Sequence, residues 1–142
     1  VIEECPAESE NPAVGMGRQG RLTSPRPLSQ LAEEIKSYLG LSHIRVASAP
    51  RHTDGAPIKR VAVCPGAGGS LFSGVRHVDL LLTGEMRHHD ILSRISNGTS
   101  VILTDHTNTE RGFLPILQER LSQSMSIPIM VSEVDSDPLV VS

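Results

Sequence analysis

The feature that most constrains this chain is a regular alternation along its second half. Short apolar runs (Arg60-Val61-Ala62-Val63-Cys64, Asp79-Leu80-Leu81-Leu82-Thr83, Ser100-Val101-Ile102-Leu103-Thr104 and Ile127 to Ser132) alternate with segments of helical spacing. Strands near-continuous in apolar character are buried on both faces, and strands separated by helices pair in parallel with crossovers over the sheet. The pattern therefore predicts an α/β layered fold, a largely parallel or mixed sheet flanked by helices. The predicted helices run from Ser70 (short), from about Met86 to Ser96, and from about Thr109 to Gln123. Pro115 either kinks the last of these or opens its main body as a first-turn proline.

Upstream, Leu28, Leu31, Ile35, Tyr38 and Leu39 recur at helical spacing, with Ser29 or a neighbour as cap and Gly40 where a left-handed stop belongs. His43 to Ser48 then alternates as a strand, and Arg51 to Pro57 reads as a polar turn. Residues 1–27 form a separate glycine- and proline-rich segment, expected to be a linker or edge, ahead of an α/β domain over 28–142. Within it, Gly15-Met16-Gly17-Arg18-Gln19-Gly20 is either a flexible surface loop or backbone that approaches another surface closely.

The 142 residues suit one domain. The net charge of −3 and cationic residues scattered along the sequence leave no nucleic-acid footprint, and Tyr38, Phe72 and Phe113 are too few for stacking platforms. Cys5 and Cys64 stand far apart without a C-x-x-C partner, which excludes a zinc ribbon. Reduced thiols in a soluble, intracellular protein are expected. Asn97-Gly98-Thr99 reads as a helix-to-strand turn. No apolar run approaches the ~20 residues of a membrane span. A start at Val1 suggests a fragment or processed product.

Chemistry in such sheets gathers where strand C-termini meet the following loops. Three loops lie there: Cys64 to Ser70, Thr83 to His89, and Asp105 to Arg111. In the first, Gly66 and Gly68 belong to a glycine-rich turn whose amides could hold an anion, although it lacks the Lys-Ser/Thr of a P-loop and the third glycine of a dinucleotide fingerprint. The second brings Glu85, His88 and His89 to a helix start, where adjacent positions point about 100° apart and only one imidazole can face a cleft. In the third, His106 and Glu110 stand four apart and can converge on one metal ion, with Asp105 as orienting partner for the imidazole. The same stretch also reads as a capping box, Thr107 to Glu110. Nitrogen and oxygen donors suit zinc, manganese or iron. Arg111 either recruits an anionic substrate or pairs with Glu110. Cys64, with no base and orienter in sequence, is a weaker nucleophile candidate.

Taken together, Gly15-Met16-Gly17-Arg18, Cys64-Pro65-Gly66-Ala67-Gly68, Thr83-Gly84-Glu85-Met86-Arg87-His88-His89-Asp90 and His106-Thr107-Asn108-Thr109-Glu110-Arg111-Gly112 resemble the C-terminal half of the Nif-three-like (NGG-one-interacting factor three-like) family. The end, Ser132 to Leu139, is similar too, and the version is most similar to animal members. The resemblance implies one half of a pseudo-symmetric α/β fold with a dinuclear divalent-metal centre in a cleft, assembled as a homo-oligomer. It maps metal ligands onto His106 and Glu110. The other ligands, a His-His pair and an Asp, belong to the family's N-terminal half. His89 matches a recurrent cleft-lining histidine in the T-G-[DE] motif, and Pro65 stands where the family commonly has glycine. The implied functions are a metal-dependent hydrolase of cyclohydrolase type, with His89 or Glu85 assisting proton transfer, or a non-enzymatic protein binding transcriptional co-regulators in cytoplasm and nucleus. An inactive truncation is the third reading.

Overall fold

The computed structural model describes residues 2–4 and 15–139. In chain order these form β1 (Ile2–Glu4), β2 (Gly15–Arg26), α1 (Leu28–Tyr38), β3 (Arg45–Ala47), the single turn α2 (Pro50–Thr53), β4 (Ile58–Ala67), a 3-10 turn (Leu71–Gly74), β5 (Leu80–Glu85), α3 (His88–Ser96), β6 (Ser100–Leu103), two 3-10 turns (Thr107–Thr109 and Arg111–Phe113) and α4 (Leu114–Ser124). Six strands make one sheet in the order β1-β2-β4-β5-β6-β3. β4, β5 and β6 run parallel, and the remaining pairings are antiparallel. This is the mixed, helix-flanked sheet that the alternation requires.

Both faces of the parallel strands are covered, and the period of two divides their side chains between two cores. Leu80 and Ile102 pack with Leu28, Leu31 and Ala32 of α1. Leu81, Val101 and Leu103 point the other way, onto Phe72, Val75 and Val78. Leu81, Val101 and Ile102 are wholly buried. α1 ends as its sequence requires: Gly40 takes φ +67°, and the amide of Leu41 returns to the carbonyl of Lys36.

Several boundaries differ from expectation. Gly15 to Gly20 is neither loop nor linker: it is the start of a twelve-residue strand, with Arg18 opposite Val63 and Arg21 opposite Arg60. Its composition concealed it because backbone hydrogen bonds hold it, while most of its side chains face outward. Residues 15–26 thus share one sheet with the rest of the chain. Arg51 to Pro57 contains the turn of helix α2, and the helix expected from Ser70 is a 3-10 turn. Pro27, not Ser29, occupies the cap of α1 without any side-chain bond. Pro115 sits in the first turn of α4, behind two 3-10 turns. Ile127 to Ser132 does not join the sheet: Ile127 and Met130 are exposed, so no core face selects a register for them.

Candidate metal centre

The three strand-end loops do converge. β5 continues through Gly84 to Glu85, and a Cβ at Gly84 would lie 2.8 Å from the carbonyl oxygens of both Gly66 and Asp105, so only glycine allows the three loops to close together. Two threonine hydroxyls stitch them. Buried Thr83 Oγ1 donates to the Gly66 carbonyl and accepts the Gly68 amide, each at 3.0 Å. Thr109 Oγ1 donates to the His106 carbonyl and accepts the Gly66 amide, each at 2.7 Å. The amides of Gly66 and Gly68 are therefore spent internally. The glycine turn, read as either an anion-holding loop or a tight turn without ligand, has both of these amides bonded within the protein.

On this frame, His106 Nε2 lies 3.4 Å from Glu110 Oε1, and His106 Nδ1 lies 3.3 Å from Glu85 Oε1. Asp105, at φ +65°, turns the chain so that His106 leaves β6 toward the other loops. Asp105 is not the orienter expected of it, because its carboxylate pairs with Arg45 at 2.5 Å. Glu85 takes that position. The imidazole thus stands between two carboxylates, one within ion-pair range of each ring nitrogen. The capping box is not formed: Glu110 faces the imidazole, and the Thr107 hydroxyl bonds the Asp137 carboxylate.

The pair fits a metal ion on three grounds. Donors bound at about 2.0–2.2 Å in tetrahedral geometry stand about 3.3–3.5 Å apart, which matches the 3.4 Å between Nε2 and Oε1. Gly66, at φ +62°, leaves the space beside both donors open, since a Cβ there would lie 2.7 Å from Glu110 Oε1 and 3.0 Å from His106 Nε2. Finally, the side chains of His106, Glu85 and Glu110 are 43%, 50% and 51% exposed, so an ion or a further ligand can reach them. No group of three or more metal-capable side chains exists among the described residues.

Other candidates are left apart. His89 lies exposed in the first turn of α3, its ring edge-on to His88 at 5.9 Å, with no hydrogen bond or ion pair to His106 or Glu110 among the described residues. Arg111 pairs with Asp135 at 2.7 Å rather than with Glu110. Cys64 is a buried free thiol, and burial, reinforced by the Glu110 charge, pushes its pKa up, away from nucleophilic use. Cys5 lies outside the described residues. Sequence reasoning missed Thr83, Thr109 and the Asp135/Asp137 tail contacts, whose partners are distant in sequence and carry no periodic signal.

A parallel-centred α/β sheet whose strand-end loops bring His106 and Glu110 face to face defines the class. The chain belongs to the Duf34/NIF3 (NGG1p interacting factor 3) family, which matches residues 2–138. It is 49% identical over 127 residues to NIF3-like protein 1 of Rattus norvegicus, covering 88% of this chain and 34% of that protein. It is 39% identical to NGG1-interacting factor 3 of Saccharomyces cerevisiae, covering 99% of this chain and 50% of the relative. The chain thus spans between a third and a half of the length of these relatives. In three dimensions it is similar to a Bacillus cereus protein related to NIF3, with a TM-score of 0.68 and 25% identity over 90% of this chain and 36% of the other. No helix among the described residues is long and apolar enough to cross a membrane.

Proposed function

We propose that this chain contributes His106 and Glu110 as ligands to a dinuclear divalent-metal centre of zinc, manganese or iron, completed by donors beyond the described residues. We read the assembled protein as a metal-dependent hydrolase of cyclohydrolase type. The observation that carries this reading is the facing of Nε2 and Oε1 across the open space beside Gly66. When bound, such ions lower the pKa of a water and polarise the scissile group. The chain's own residues do the rest. Glu85 stands beside Nδ1 of His106, and its half-exposed carboxylate is the group best situated to take up or return a proton beside the ligand pair. His89, at the rim, is the auxiliary proton carrier. Arg111 would meet an anionic substrate only after release from Asp135.

The fraction of each relative spanned and the order of the motifs support reading this chain as the C-terminal half of a pseudo-symmetric, homo-oligomeric protein of cytoplasm and nucleus. Elemental mass spectrometry after zinc loading and gel filtration tests the metal reading. Retained metal should fall sharply in a His106→Ala, Glu110→Ala double variant. Equal retention by both proteins would reject the assignment.

A second reading, a non-enzymatic docking protein for transcriptional co-regulators, is favoured by one observation. α4 and the segment after it expose Ile116, Leu117, Met125, Ile127, Met130 and Val134. The name of the yeast relative also records an interaction. Partner capture that survives the double variant, in a protein without turnover across a hydrolase panel, would select this reading.

A further inference from the structure

We propose that this chain carries a second site, for a small molecule bearing two phosphate groups, centred on Arg76 where the chain enters β5, in a cavity that runs along α3 from there to Gly69 and Met86. Cationic residues scattered along the sequence are gathered there by the fold. Two adjoining cavities, of about 500 and 270 Å³, share Arg76, His77 and Val78. The larger adds Arg94 from α3, and the smaller adds Arg21 from β2 and Arg60 from β4.

Four arginines outside the cluster are matched with carboxylates, Arg26 with Glu34, Arg45 with Asp105, Arg51 with Asp79 and Arg111 with Asp135, while Arg87 and Arg120 form no ion pair among the described residues. Arg21, Arg60, Arg76 and Arg94 form no ion pair among the described residues. They are also set against one another. Arg21 and Arg60 are direct cross-strand partners, an arrangement in which like charges destabilise a sheet. Arg76 and Arg94 both donate to the Val75 carbonyl, each at 3.1 Å. Arg94 also donates to the Phe72 carbonyl and Arg76 to that of Ser73. The two guanidinium groups are thereby aimed by backbone alone, with further N–H donors of Arg76 unused. The carboxylate facing them is Asp90, across the larger cavity, and it does not offset the surplus. Asp79, near Arg60, is occupied by Arg51 and by the amides of Lys59 and Arg60.

Arg21, Arg60 and Arg76 are exposed and Arg94 half-buried, so solvent screens them in part; four guanidinium groups along one lining, faced by the single carboxylate of Asp90, still favour an anionic ligand. Arginine forks match phosphate oxygens bidentately, and the two guanidinium pairs suit two phosphate groups. The combined cavity is of small-ligand size. Tyr38, Phe72 and Phe113 are absent from its lining, so it lacks the stacking platforms that a single-stranded nucleic acid uses.

The test is calorimetric titration of the chain with inorganic pyrophosphate at fixed ionic strength, with a chelator present so that the His106 pair contributes nothing. Pyrophosphate should bind more tightly than phosphate. Arg76→Ala should weaken it about tenfold or more, as expected for loss of charge-assisted bonds. Arg21→Ala should weaken it while raising the melting temperature, because a like-charge pair is relieved; a purely structural arginine would lower it. Arg94→Lys, which keeps the charge and loses the fork, should fold and bind weakly. No pyrophosphate binding, or equal binding by wild type, Arg76→Ala and Arg21→Ala, would overturn the proposal. So would an affinity for oligonucleotides that rises with each added nucleotide and exceeds that for pyrophosphate.

Discussion

The centre of the sheet and the C-terminal arm are built by opposite rules. In β4, β5 and β6 both faces are covered and Leu81, Val101 and Ile102 are wholly buried. In α4 no residue is buried, and the segment to Leu139 is held to the body by polar links: Gln118 to the Ile129 carbonyl, Arg111 to Asp135, and Thr107 to Asp137. The His106–Glu110 pair lies in the 3-10 turns between these two regions. The sheet side frames it through Thr83, Thr109 and the closely packed glycines, and the arm touches it through Thr107 and Arg111.

The sharpest break of this contrast is in the core. Leu81→Ala should cost about 2–5 kcal/mol, the range for emptying a buried leucine site, read by denaturant unfolding. Leu117→Ala on α4 should stay within about 0.5 kcal/mol, as for exposed positions; a comparable loss at both would erase the distinction. At the seam, Gly66→Ala forces a side chain into left-handed backbone and against both donors. It should cost about 1–3 kcal/mol and abolish zinc retention, and a variant that kept its metal would contradict the role given to the space beside Gly66.

A third measurement separates the sheet from the arm by pH. Buried His52 shares a hydrogen bond between Nδ1 and the Ser100 hydroxyl (2.7 Å), Ser100 Oγ also accepts the Ala49 amide, and His52 Nε2 has no partner among the described residues. Burial, helped by Arg51 and opposed by Asp79, lowers its pKa below the ordinary 6.5. The unfolded chain therefore binds this proton more readily than the folded one. The contribution of neutral His52 is complete above pH 6.5 and is lost as pH falls through the lower folded value. Melting temperature should drop on acidification below 6.5, with a shallower slope in His52→Gln; identical slopes would remove His52 from the account. The smallest effect is expected from Arg111→Ala. A half-exposed pair is worth at most about 1 kcal/mol, so global stability should barely change while amide exchange around Asp135 accelerates.

The same contrast explains what the sequence revealed. β4, β5 and β6 were legible because burial on two faces leaves near-continuous apolar runs, and α1 and α3 because one face turned to the sheet leaves apolar residues at helical spacing. β2 was not, since glycine and exposed polar side chains fill a strand that backbone pairing alone secures. Ile127 to Ser132 misled in the other direction, because its apolar residues cover no sheet. Within the site, His106 and Glu110 were visible as candidate metal ligands and Glu85 as a candidate proton carrier, all on strand-end loops. Their roles depended on contacts invisible in one dimension: Arg45 takes Asp105 from sixty residues away and leaves the imidazole to Glu85. Likewise, Thr109 and Thr83 occupy the Gly66 and Gly68 amides that an anion would have needed.

The most direct test of the central claim is a zinc titration followed through the side-chain nitrogen resonances of the histidines. His106 should respond first, with Nε2 coordinated and Nδ1 still protonated toward Glu85, and the response should vanish in Glu110→Ala. A titration in which His88 or His89 responds while His106 stays silent, or in which Glu110→Ala changes nothing, would contradict it.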